Sequence, residues 1–129
     1  MGLPINKFIV ATNKNDILHR AISNGNYEAE SVSETNSPSM DIQIASNFER
    51  LIYDLNDCDD NETSTIMHGI KRKGKYIISK DKMEKINKDF LSASMNEEEI
   101  LDTIKEVHIK YNIIPVSYTH LTLPTKRIV

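Results

Sequence analysis

The chain has 129 residues, with 16 Lys plus Arg set against 19 Asp plus Glu for a net charge of −3. That length allows one domain of ordinary size, and the acidic balance argues against nucleic-acid or anionic-membrane partners, which call for a basic excess. At 39% hydrophobic and 27% charged the composition is globular rather than disordered, and no apolar run approaches the roughly 18 residues of a membrane span.

In chain order, Lys7-Phe8-Ile9-Val10-Ala11-Thr12 is an apolar, β-branched run that predicts a buried strand of an α/β sheet. Asn13-Lys14-Asn15-Asp16 then offers several helix caps. Ile17, Leu18, Ala21 and Ile22 recur at helical spacing until Asn24-Gly25-Asn26 stops the helix. Strand, polar turn and helix together make half of a βαβ unit. Residues 27 to 39 are polar and serine-rich, a long loop by ordinary standards. Ser46-Asn47-Phe48-Glu49 has the form of a capping box, and Phe48, Leu51, Ile52 and Leu55 follow as the apolar stripe of an amphipathic helix. After an acidic turn, Asp57 to Glu62, a helix is predicted from about Asn61 to Lys73, ending at Gly74. A short strand over Lys75 to Ser79 follows, then a helix from about Lys80 to Leu91 with Met83, Ile86 and Phe90 inward. Asn96-Glu97-Glu98-Glu99 opens a last helix with acids where the helix dipole favours them, and Ile100, Ile104, Val107 and Tyr111 form its stripe.

Few residues invite chemistry on pattern alone. The start, Met1-Gly2-Leu3-Pro4-Ile5-Asn6-Lys7, has neither the charged nor the apolar region of a secretory signal. The single cysteine, Cys58, precludes an internal disulfide and suits a reducing compartment, so a cytoplasmic location is expected. Carboxylates around Cys58 disfavour its thiolate, which argues against a nucleophile. Asp57-Cys58-Asp59-Asp60-Asn61 imitates a calcium loop, but Glu62 stands where the turn needs glycine and His68 where a bidentate Glu is needed. His19, His68, His108 and His120 share no ligand spacing, so no metal site is expected. The 4 glycines are too scattered to cradle a phosphate. Lys71-Arg72-Lys73 with Lys75 reads as dipole pairing and solubility. Two places are better positioned. Thr12 and Asn13 end a strand, where α/β sheets bind ligands, although a cap explains them too. Ser37-Pro38-Ser39-Met40-Asp41 lies on a long loop entering a helix, where hydroxyls and amides meet anions or simply close a turn.

Gly2-Leu3-Pro4-Ile5, Phe8-Ile9-Val10-Ala11-Thr12-Asn13 and Asn15-Asp16-Ile17-Leu18 resemble, in order, a segment of the threonine synthase family. So do Ser37-Pro38-Ser39-Met40-Asp41-Ile42-Gln43 and Ser46-Asn47-Phe48-Glu49-Arg50-Leu51, and Lys105-Glu106-Val107-His108, with Lys110-Tyr111, is similar to a later family helix. The resemblance covers about residues 1 to 112, less sharply between 57 and 96. It implies an α/β fold, part of the large three-layer α/β/α domain of a fold-type-II pyridoxal-phosphate enzyme, with an incomplete sheet. It further implies conversion of O-phosphohomoserine and water to threonine and phosphate, with a lysine Schiff base and the cofactor ring as electron sink.

By the same resemblance the cofactor lysine and the glycine-rich phosphate loop precede this segment, and Met1 falls mid-pattern. No catalytic residue is therefore assigned, and the chain by itself is expected to be inactive and to fold only partly or aggregate. The resemblance implies cofactor contacts near Thr12 and Asn13, and substrate contacts among Ser37, Ser39, Asp41, Asn47 and Arg50, whose forked guanidinium suits a phosphate. The family's Asp-Pro-His-Thr-like string is expected near Ile114, where the chain reads Pro115-Val116-Ser117-Tyr118. Residues 113–129, free of Asp and Glu, look like translated sequencing adapter, a non-native tail after a 1–112 enzyme segment. The competing expectations are a small interaction module using the Ile100–Tyr111 stripe as a binding face, and a truncated paralogue that binds phosphate esters without catalysis.

Overall fold

The computed structural model describes residues 4–115. Strand β1 (Phe8–Thr12) leads into helix α1 (Ile17–Asn24), which Gly25 ends in the left-handed conformation at φ 77°. Strand β2 (Asn26–Glu28) follows, so the segment read as loop from residue 27 begins with a strand. A short 3₁₀ turn (Pro38–Met40) precedes α2 (Phe48–Leu55) and α3 (Asp60–Lys73), which stops at Gly74. Then come β3 (Lys75–Ile77), α4 (Lys80–Asp89), β4 (Phe90–Ser94) and α5 (Glu97–Tyr111).

The strands form two pairs. β1 and β4 run parallel, with Phe8 opposite Phe90 and Thr12 opposite Ser94. β2 and β3 are antiparallel, with Tyr27 opposite Tyr76. This is an α/β arrangement with a small parallel sheet, as the fold reading expected. The core gathers Ile17, Ala21, Ile22, Phe48, Ile52, Leu55, Ile70, Ile78 and Ile86, which are buried together. Burying a side chain of this size contributes about 1.5–3 kcal/mol. Tyr27 stacks on Phe48 with ring centroids 4.1 Å apart, and its hydroxyl accepts the Ala45 amide at 3.1 Å.

Five local expectations need correcting. β1 is not buried along its length: Phe8 is 39% exposed and only Thr12 is fully buried, because β4 is the one strand paired with it among the described residues. The helix predicted to Leu91 ends at Asp89. Phe90 starts β4 instead, and its ring stacks on Phe8 at 5.4 Å, so its helical spacing from Ile86 was coincidence. Asp16 occupies the cap position of α1 without capping it, its carboxylate being taken by Arg20 Nε at 2.9 Å. The Ser46–Glu49 capping box does not form. Asn47 is already helical in backbone, and the Glu49 amide turns to the Ser46 carbonyl at 3.4 Å rather than to its hydroxyl. The stripe of α5 narrows to Ile100 and Val107, both buried, while Tyr111 is 51% exposed. Two of the four stripe residues are thus buried in the fold, and Tyr111 stays at the surface.

The acidic turn has a structural use. Asp57 and Cys58 adopt left-handed backbone, φ 53° and 65°, and Asp59 then caps α3 by accepting the Asn61 and Glu62 amides at 2.8 and 2.9 Å. A capping box does occur at α5: Asn96 Oδ1 accepts the Glu99 amide at 3.0 Å and Glu99 accepts the Asn96 amide at 2.8 Å. The adapter-like reading of residues 113–129 falls, from 116 onward, outside the described residues.

Candidate functional site

The carboxyl end of β1 delivers a densely hydrogen-bonded polar group. Asn13 leaves the strand fully buried, and its Oδ1 accepts the Asn15 amide at 2.9 Å, turning the chain toward α1. Its Nδ2 donates to Thr35 Oγ1 at 3.0 Å and to Asp41 Oδ1 at 2.8 Å. Asn15, also buried, donates to Asp41 Oδ1 at 2.9 Å and to the Ser33 carbonyl at 2.8 Å, and accepts the Ser33 amide at 2.8 Å. The Thr35 hydroxyl donates to Asp41 Oδ1 at 2.6 Å, and the Thr35 amide to Oδ2 at 2.8 Å. Two asparagines two residues apart thereby bind the long loop to the strand end, through the Asp41 carboxylate, the Thr35 hydroxyl and the Ser33 backbone.

That carboxylate is held anionic. Partial burial by itself pushes the Asp41 carboxyl up, but the Thr35 hydroxyl and amide, then Asn13 and Asn15, all bond the charged form and outweigh it. Its pKa consequently lies below the ordinary carboxylate value.

Other members tie the loop to the second strand and the last helix. Thr12 donates to the Ala93 carbonyl at 3.4 Å, and Ser94 donates to the Asn13 carbonyl at 3.0 Å. The Asn36 amide donates to Glu97 Oε2 at 3.1 Å on the first turn of α5, while Glu97 Oε1 is buried with no hydrogen-bond partner among the described residues. Ser37 is fully buried: its amide donates to Thr35 Oγ1 at 3.0 Å and its carbonyl accepts the Met40 amide at 2.8 Å. Ser39, next to it on the 3₁₀ turn, is exposed.

Thr12, Asn13, Ser37 and Asp41 are thus brought into one hydrogen-bonded neighbourhood, with Ser39 on its rim. Asn47 and Arg50 stand elsewhere, both exposed at the start of α2. They border a cleft of about 600 Å³ shared with Tyr53, Asp60 and Thr63. Arg50 has no ion pair among the described residues, whose ion pairs are made by Arg20, Lys82, Lys85 and Lys105. Asn15, Ser33, Thr35, Ser94 and Glu97 are the members that sequence reasoning did not single out. The pair Asn13-x-Asn15 directly after a strand was the available signal for the first, whereas nothing local marks Thr35 or Glu97. Among the described residues no three His, Cys, Asp or Glu side chains converge to hold a metal.

No protein-family model matches the chain. Individual relatives do. It is 39% identical over 108 residues to threonine synthase of Pseudomonas aeruginosa, covering 84% of this chain and 23% of that protein. It is 42% identical over 118 residues to threonine synthase of Saccharomyces cerevisiae, with the same shares of each. In structure it resembles the pyridoxal-phosphate-bound threonine synthase of Brucella melitensis, with TM-score 0.86 and 37% identity over 95% of this chain and 27% of that one. A yeast threonine synthase structure matches with TM-score 0.85 and 36% identity over 99% of this chain and 28% of that one. The chain spans about a quarter of the length of the curated relatives it matches. With sequence and fold agreeing along most of its length, the chain belongs to the threonine synthase family.

Proposed function

We propose that this chain is a segment of a threonine synthase, the enzyme that turns O-phosphohomoserine and water into threonine and phosphate, and that it forms one wall of the reaction cleft. The observation that carries this reading is the network closed on Asp41, which fixes a serine-rich loop at the carboxyl end of a parallel strand, where α/β sheets hold ligands. Pyridoxal phosphate, bound in the Brucella relative, would supply the electron sink.

The residues of this chain fit the surroundings of that cofactor rather than its direct ligation. Both Asn13 side-chain atoms are spent on Thr35, Asp41 and Asn15, and Thr12 donates to Ala93. Thr12 and Asn13 therefore shape the wall beside the cofactor, and Asp41 and Ser37 set the path of the substrate loop. Ser39, exposed on the 3₁₀ turn, has a hydroxyl placed to meet substrate, and Asn47 and Arg50 offer an amide and a cation to its phosphate. No catalytic residue is assigned to this chain, and alone it carries out no turnover. A small-molecule substrate and a cytoplasmic setting, without nucleic acid or membrane, complete the proposal. Among the described residues no helix is long and apolar enough to cross a membrane.

A chimera tests this reading. Residues 4–112 of this chain replace the matching segment of yeast threonine synthase, and the gene is placed in a yeast strain that lacks the enzyme. Growth without added threonine is expected. A soluble chimera that binds pyridoxal phosphate but supports no growth contradicts it.

A further inference from the structure

The loop that closes on Asp41 has a second attachment, at its other end. Arg20 of α1 is a largely buried cation, its side chain 16% exposed. Its guanidinium points three ways: Nε donates to Asp16 Oδ1 at 2.9 Å, Nη2 donates to the Glu28 carbonyl at 3.0 Å, and Nη1 pairs with Glu30 Oε1 at 3.0 Å. These partners belong to the turn before α1, the last residue of β2 and the second residue of the loop. A rigid planar fork can hold three such acceptors at once, which the point charge of a lysine does not do. Gln43, buried near the far end of the loop, places its Oε1 3.5 Å from the Glu30 amide, so the two ends of the loop lie side by side.

A loop with one anchor can pivot about it, whereas two anchors fix its direction. Asp41 ties the later half of the loop to Asn13 and Asn15. Arg20 ties its first residues to α1, five positions beyond Asn15. The 3₁₀ turn that exposes Ser39 lies between the two attachments. We propose that Arg20 is a positioning residue for the reaction: through Glu30 and the Glu28 carbonyl it sets the direction in which the loop presents Ser39 to substrate. The proposal rests on the reading of this chain as a wall of the threonine synthase cleft. Arg20 is turned to the protein's own acceptors and acts only through the loop, so its loss should appear in substrate affinity rather than in turnover. The contacts to Asp16 and Glu28 would equally serve a staple between α1 and β2. The contact to Glu30 serves the loop, and it separates the two roles.

The test uses the yeast chimera described above, assayed for phosphate release from O-phosphohomoserine. Glu30→Gln removes the loop contact alone and should raise KM roughly three- to fivefold, the size of one partly exposed charged pair, with kcat and the absorbance of bound pyridoxal phosphate unchanged. Arg20→Lys keeps the charge but loses the fork. It should raise KM roughly tenfold, and adding Glu30→Gln to it should raise KM no further. Asp57→Asn breaks a 3.0 Å ion pair to Lys85, between the turn before α3 and α4, and should leave KM as it is. In the full chain without cofactor, Arg20→Lys should also speed hydrogen exchange of the Ser37 and Met40 amides, which bond Thr35 Oγ1 and the Ser37 carbonyl within the loop. An active chimera whose KM is unmoved by Glu30→Gln and Arg20→Lys, even with a lowered melting temperature, makes Arg20 a staple. That result overturns the proposal and leaves the functional reading standing. Unaltered exchange at Ser37 and Met40 overturns it as well. A folded chimera that binds pyridoxal phosphate without turnover overturns the functional reading, and the proposal with it.

Discussion

Replacing Asp41 with alanine is expected to loosen the 34–41 part of the serine-rich loop, leaving Ser33 tied to Asn15, while α1 and α2 stay folded. One carboxylate accepts four hydrogen bonds, three on Oδ1 and one on Oδ2. Bonds to a charged group contribute about 1.5–3 kcal/mol each, they are not additive, and their loss leaves the buried amides of Asn13 and Asn15 short of an acceptor. A total near ~3 kcal/mol follows, or roughly a hundredfold faster opening of the loop. The amides of Thr35 and Ser37, bonded to Asp41 Oδ2 and Thr35 Oγ1, report this opening by hydrogen exchange. Asp41→Asn keeps the shape but turns a donor toward donors, so it should lose most of the same protection. Acid should mimic both substitutions. Because the folded-state pKa of Asp41 is depressed, its contribution is fully present above the unfolded value of about 3.9 and is lost as pH falls through the lower folded value. Unchanged Thr35 protection in Asp41→Ala would show that the loop is held by other contacts.

The isolated chain is expected to self-associate. Among the described residues β1 pairs with β4 alone, and exposed apolar side chains add to that edge, among them Ile44 at 76%, Ile77 at 72% and Ile114 at 78%. Edges and patches of this kind pair with whatever is available. Sedimentation velocity should show an average mass that rises with concentration, together with a broad thermal transition. Phe8→Lys puts a charge at the start of the edge strand, where Phe8 is 39% exposed, and should shift the population toward monomer. A monomer at all concentrations with a sharp two-state melt would contradict the expectation.

Helical periodicity and glycine stops located α1, α3 and α5 closely, because those signals are local. Ile17, Ala21 and Ile22 are buried as their spacing predicted, and Gly25 and Gly74 both end helices in left-handed backbone. What stayed hidden was whatever depends on a distant partner. β4 could not be seen, because Phe90-Leu91-Ser92-Ala93-Ser94 becomes a strand only through its ladder with β1, some eighty positions earlier. β2 is three residues long and exists only against β3. The Ser46 capping motif had the right letters, but Asn47 entered the helix one residue earlier in backbone conformation. At the site, position after a strand and loop length were enough to single out Asn13 and Asp41. That both would meet on Thr35 was not readable, since the meeting depends on how a loop of more than ten residues folds back.

The central claim, that this chain forms one wall of a threonine synthase cleft with the loop closed on Asp41 (residues 29–44) facing substrate, is tested most directly by hydrogen exchange on the yeast chimera loaded with pyridoxal phosphate. The measurement compares the chimera with and without a phosphonate analogue of O-phosphohomoserine that cannot release phosphate. Slower exchange in residues 29–44 on adding the analogue, with little change in α4, is the predicted result. Binding of the analogue that leaves exchange in 29–44 unaltered would contradict the account.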